Sequence, residues 1–102
     1  MTLKDRIVED MKTALRAKNA PRLSTIRLLV AAIKQREVDE RIELSDADIV
    51  GVIDKMLKQR RDSIRQYGSA GRRDLVDAEE FEVQVLTGYM PSGLSETEVE
   101  AA

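Results

Sequence analysis

The chain contains no cysteine and no histidine. Their absence excludes disulfides, zinc fingers, iron–sulfur clusters, thiol nucleophiles and every catalytic scheme built on imidazole. Aromatic residues are nearly missing as well. Tyr67, Phe81 and Tyr89 are the full set, too few for the stacking platforms on which sheet-type domains hold unpaired bases. The longest apolar run, residues 28–33, is too short to cross a bilayer. Residues 1–16 mix charges of both signs and do not read as a secretory signal. No membrane association is expected, and a cytoplasmic location is the default. What is present is one domain's worth of chain: 102 residues, 42% apolar and 35% charged, a balance that folds into a compact core under a charged exterior. A scaffold or binding role fits this inventory better than catalysis.

Apolar spacing predicts an all-α fold, a small bundle of four helices with no sheet. Thr2 and Asp5 form a capping-box signature, after which Leu3, Ile7, Met11, Ala14 and Leu15 carry a first helix to about Lys18. Asn19-Ala20-Pro21 breaks the chain and opens a second helix. Its apolar residues extend around most of the surface, which predicts a central helix touching more than one neighbour. The charge-rich residues 36–44 read as a connection. Ser45 with Asp48 opens a third helix, the longest, and Gly68 is suited to the left-handed position that ends it. Leu75, Ala78, Phe81, Val85, Leu86 and Tyr89 mark a fourth helix, stopped by Pro91 and Gly93. Ser95 and Glu98 then suggest the start of a truncated fifth. The expected domains are a helical bundle over residues 1–93 and the beginning of a small C-terminal helical unit over 94–102.

The net charge of −2 conceals segregation. Residues 1–54 balance ten bases against ten acids, residues 55–73 hold seven bases against Asp62 alone, and residues 74–102 hold eight acids and no base. At about 100° per residue, Lys58, Arg61 and Arg65 line the side of the third helix away from its apolar stripe, and Arg72 and Arg73 extend them. One reading is an anion-binding ridge for a phosphate backbone. The other is a solvated face neutralised by Asp74, Asp77, Glu79 and Glu80. Arg60 lies within the stripe of Ile53, Met56, Ile64 and Tyr67, and Glu82 lies among Ala78, Val85, Leu86 and Tyr89. A hairpin near residues 68–71 brings the two level, which predicts a mostly buried, structural Arg60–Glu82 ion pair.

The remaining motifs are weak. Gly68-x-x-Gly71 reads as an interhelical turn, since the nucleic-acid clamp of similar spacing needs a sheet. Asp77, Glu79 and Glu80 read as wet helix surface, with no metal site expected. Ser63 and Ser69 lack an evident base, so no catalytic residue and no cofactor is assigned.

Arg22-Leu-Ser-Thr-Ile-Arg-Leu-Leu through Ile33-Lys-Gln-Arg-Glu-Val-Asp, Lys58-Gln-Arg-Arg-Asp-Ser-Ile and Gly71-Arg-Arg-Asp-Leu, with the exit Tyr89-Met-Pro, together resemble the YqeY family of small bacterial proteins, also called GatB/YqeY domain proteins. That family is similar to the C-terminal tail of the GatB component of the glutamyl/aspartyl-tRNA amidotransferase, a glutamine-dependent carbon–nitrogen ligase. The resemblance implies an all-helical, non-catalytic accessory or tRNA-binding module, with tRNA or the amidotransferase machinery as partner. The alternative is a helical protein-interaction module, docking a protein partner around Met90, Leu94 and Val99 without RNA.

Overall fold

The computed structural model describes residues 2–91. Four helices follow one another, α1 Leu3–Arg16, α2 Ala20–Glu40, α3 Asp46–Ser69 and α4 Arg73–Thr87. Among the described residues there is no strand, so the all-α expectation holds. The fifth helix expected over 94–102 lies outside the described residues. The chain divides into two compact units, Met1–Val52 and Ile53–Ala102, with α3 running through the boundary.

In the first unit, the capping box at α1 is complete: Thr2 Oγ1 accepts from the Asp5 N–H at 3.1 Å and the Asp5 carboxylate accepts from the Thr2 N–H at 3.3 Å. The helix ends at Arg16, short of Lys18, because Lys18 turns into the left-handed region at φ 57°. Asn19 then caps α2, its side chain accepting from the Arg22 N–H at 3.3 Å, with Pro21 in the first turn. α1 packs on α2, and Ile7, Ala14, Ile26, Leu29 and Ile33 are buried. The buried Thr25 hydroxyl donates to the Pro21 carbonyl at 3.0 Å, so it costs no orphaned polar group.

One expectation for this unit needs correction. α2 does not stop before the charged run but continues to Glu40, where Arg41 closes it at φ 55°. Pairs one turn apart hold the extra turn, Arg36 Nε to Glu40 Oε2 at 2.6 Å and Gln35 Nε2 to Asp39 Oδ1 at 2.9 Å. On α2, Leu28 is 47% exposed and Ala31 is exposed.

Glu37 ties the unit together. Lys4 Nζ donates to both of its carboxylate oxygens at 2.9 Å, and the Leu44 N–H donates to Oε2 at 3.0 Å. One carboxylate thus joins α1, α2 and the loop that follows. Asp46 Oδ1 accepts from the Leu3 N–H at 3.0 Å, satisfying one of the free donors at the start of α1. Ser45 and Asp48 exchange bonds at the head of α3, the Ser45 hydroxyl accepting at 3.2 Å and the Asp48 carboxylate accepting from the Ser45 N–H at 3.1 Å.

In the second unit Ile53, Met56, Leu57, Val76, Val85, Leu86 and Tyr89 are buried. α3 passes straight through Gly68, and the left-handed residue of the turn is Gly71 at φ 72°. The Arg72 N–H reaches back to the Tyr67 carbonyl at 2.9 Å. The inner face of α4 is rotated from the expected stripe toward Val76 and Val83, leaving Ala78 exposed and Phe81 36% exposed.

Leu29→Ala removes a fully buried side chain, and a loss of about 2–5 kcal/mol is expected in urea unfolding. Bonds from the Leu44 N–H and Lys4 hold the Glu37 carboxyl below its ordinary value. Its stabilisation is therefore complete above the usual carboxylate range and disappears as pH falls through the depressed value. Glu37→Gln should melt below the parent at pH 7, and the deficit should shrink in melts at progressively more acid pH.

Candidate nucleic-acid interface

Helical spacing places the expected ridge on the second unit, where each position has a definite surrounding. Lys58 Nζ lies 3.1 Å from Asp54 Oδ2, one turn back on α3, and stays 68% exposed. Arg65 Nη2 meets Asp62 Oδ1 at 3.3 Å and is 78% exposed. Arg72 grips Asp74 with two bonds of 3.2 and 3.3 Å, which hold the Asp74 carboxyl below its ordinary value. Arg73 Nε is 3.6 Å from Asp77 and is 87% exposed. Arg61 is half-buried and engaged with its surroundings. Lys58, Arg65, Arg72 and Arg73 thus each face a carboxylate no more than four residues away.

Arg60 is of another kind. Its Nε donates to Glu82 Oε1 at 3.0 Å and lies 3.4 Å from Glu79 Oε2, with the side chains of Arg60, Glu82 and Glu79 being 18%, 21% and 19% exposed. The single Nε hydrogen is taken by Glu82. Glu79 Oε2 is buried and has no hydrogen-bond partner among the described residues. The sequence pattern puts Glu79 on the wet surface; the rotation of α4 carries it inward beside Glu82. Burial first, then the neighbouring Glu82 charge, push the Glu79 carboxyl above its ordinary value against the pull of Arg60. Two carboxylates on α4 thus share one guanidinium on α3.

A charge count by segment misses a second basic region. From Met11 to Arg36 the sequence carries no acidic residue, while Lys12, Arg16, Lys18, Arg22, Arg27 and Lys34 all fall within it. Summing over residues 1–54 hides this stretch between acidic flanks. A shorter window exposes it. Among the described residues, no three acidic side chains gather closely enough to hold a metal ion, and no helix is long and apolar enough to cross a membrane.

The family model described as Yqey-like protein matches residues 4–102. The chain belongs to the Yqey-like family. Its curated relatives include proteins named "Altered inheritance of mitochondria protein 41, mitochondrial". The Eremothecium gossypii protein is 39% identical over 83 residues, 80% of this chain and 45% of the relative. That of Pyrenophora tritici-repentis is 36% identical over 84 residues, 82% of this chain and 46% of the relative. That of Lachancea thermotolerans is 34% identical over 96 residues, 91% of this chain and 51% of the relative. The Yqey-like chain therefore spans about half the length of these relatives. They are mitochondrial by name and lend no support to the narrower label bacterial.

Because Glu79 Oε2 is buried without a hydrogen bond, the two acids should respond in opposite ways to substitution. Glu82→Ala should cost about 1–3 kcal/mol, less than a fully buried pair because the cluster is partly wet and Glu79 remains beside Arg60. Glu79→Gln should raise the melting temperature at pH 7. The unfavourable charge of Glu79 is present above its raised value and is relieved as the acid takes up a proton, so the advantage of Glu79→Gln should vanish in melts near pH 4.

Proposed function

We propose that this Yqey-like chain is a non-catalytic accessory module that holds the phosphate backbone of an RNA, tRNA by the family's resemblance to the amidotransferase tail. Lys58, Arg65, Arg72 and Arg73 supply the contacts and Arg61 supports them from the edge. The observation that carries this reading is the exposure of those cations: 57–87% of each side chain remains open to water despite its carboxylate neighbour. Exposed ion pairs are worth about 0–1 kcal/mol. A phosphate can therefore replace the carboxylate at little cost, and the released counterions favour the exchange. Such contacts give affinity and orientation without reading sequence.

Such a helper leaves carbon–nitrogen bond formation to the amidotransferase machinery. The cytoplasm, the default from sequence, suits this role, and so does the mitochondrial compartment in the relatives' names, since tRNA is charged in both. A second reading, docking of a protein partner, is favoured by large apolar side chains in water, Leu15 at 56% and Leu28 at 47% exposure. Of the site that sequence suggests for it, Met90 is half-buried, and Leu94 and Val99 lie outside the described residues.

The test is tRNA binding by filter retention across a salt series. Arg65→Glu with Arg73→Glu should weaken binding at least tenfold at low salt and reduce the slope of log K against log salt by about 2. Unchanged affinity and slope would remove these residues from the proposal.

A further inference from the structure

The solvent face of α2 has a pattern of its own. Ala20, Ser24, Arg27, Ala31, Lys34 and Val38 recur at alternating steps of four and three residues, and all six are exposed or partly so. That spacing is the 3.5-residue period with which one helix presents a continuous seam to another. Leu28 stands beside the seam at 47% exposure and Val38 ends it at 71%. Leu23, Ser24, Arg27 and Leu28, with Ala20, line a shallow open groove at its start. The small side chains of Ala20, Ser24 and Ala31 let a second backbone approach closely, within the 8–10 Å of ordinary helix packing. α2 thus packs one apolar side on α1 and leaves Leu28, Ala31 and Val38 exposed on another.

Charge selects what would cover the other side. Among the described residues, Arg27 and Lys34 lie within 4.0 Å of no carboxylate, unlike Lys58, Arg65, Arg72 and Arg73. The Lys34 charge is felt by Glu37, but Glu37 is bonded to Lys4 and the Leu44 N–H. An RNA backbone would meet the cations and leave Leu28, Ala31 and Val38 facing water. A lipid surface would meet both, but the seam lacks the Trp and Phe that anchor interfacial helices and carries only two large apolar side chains. A helix with acidic residues set among apolar ones satisfies both halves of the surface.

We infer that the outer face of α2 is a docking seam for an acidic amphipathic helix of a partner protein, with Arg27 and Lys34 fixing its register and Leu28 and Val38 supplying the apolar contact. The seam lies on the first unit and uses none of the residues assigned to RNA, so either assignment can fail without the other.

The experiment selects binders to the full chain from a randomised peptide library displayed on phage and then measures the leading peptide in synthetic form by fluorescence anisotropy. The expected binders carry Asp or Glu beside Leu, Ile or Val at steps of three and four. Arg27→Glu with Lys34→Glu should weaken the synthetic peptide at least tenfold, and Leu28→Gln should weaken it while leaving both charges in place. Circular dichroism melts of the variants should match the parent, since none of these three side chains is buried. Binders without acidic residues, or peptide affinity unchanged in both variants, would overturn the seam. Loss of tRNA or of phosphatidylglycerol-vesicle binding in the charge-reversed variant would overturn the choice of a protein partner.

Discussion

A guanidinium placed between two carboxylates governs how the second unit is assembled. Arg60 sits four-fifths buried on α3, and a cation there is tolerable only if an anion comes to it. α4 supplies two. With Glu82 bonded at 3.0 Å and Glu79 at 3.4 Å, the rotation of α4 about its own axis serves the charge of Arg60 as well as the packing. Val76 and Val83 turn inward and Phe81 is left partly in water as a result. An aromatic ring gives up some burial so that an arginine is not left alone.

That trade also marks where sequence stops being legible. The helices themselves could be read, because capping residues and apolar periods are local: Thr2 with Asp5 and Ser45 with Asp48 form their bonds within three residues. Arg60 and Glu82 could be matched across the turn because each interrupts an apolar stripe. Glu79 could not, since its position depends on how far α4 rotates, and rotation is a property of the packed pair. The extension of α2 through Arg36 and Glu40 is hidden for a related reason. A run of charges looks like a loop by composition, whereas one-turn pairing makes it helical.

The two basic regions differ in how their charge is disposed. On α3 and at the head of α4, cations alternate with nearby carboxylates, so the surface carries weak, exchangeable pairs. On α2 they stand among alanine, serine and leucine. The first arrangement suits a partner that brings many phosphates and tolerates sliding. The second suits one whose own acids and apolar groups come in fixed register. The two regions thus differ chemically although both are basic.

The ends of α2 share a backbone feature. Lys18 before it and Arg41 after it both occupy the left-handed region, at φ 57° and 55°, a conformation that disfavours side chains beyond glycine by about 1–2 kcal/mol. Neither position is buried. Glycine or asparagine at either corner would relax the turn without disturbing the interior, so both corners are places to harden the protein against heat.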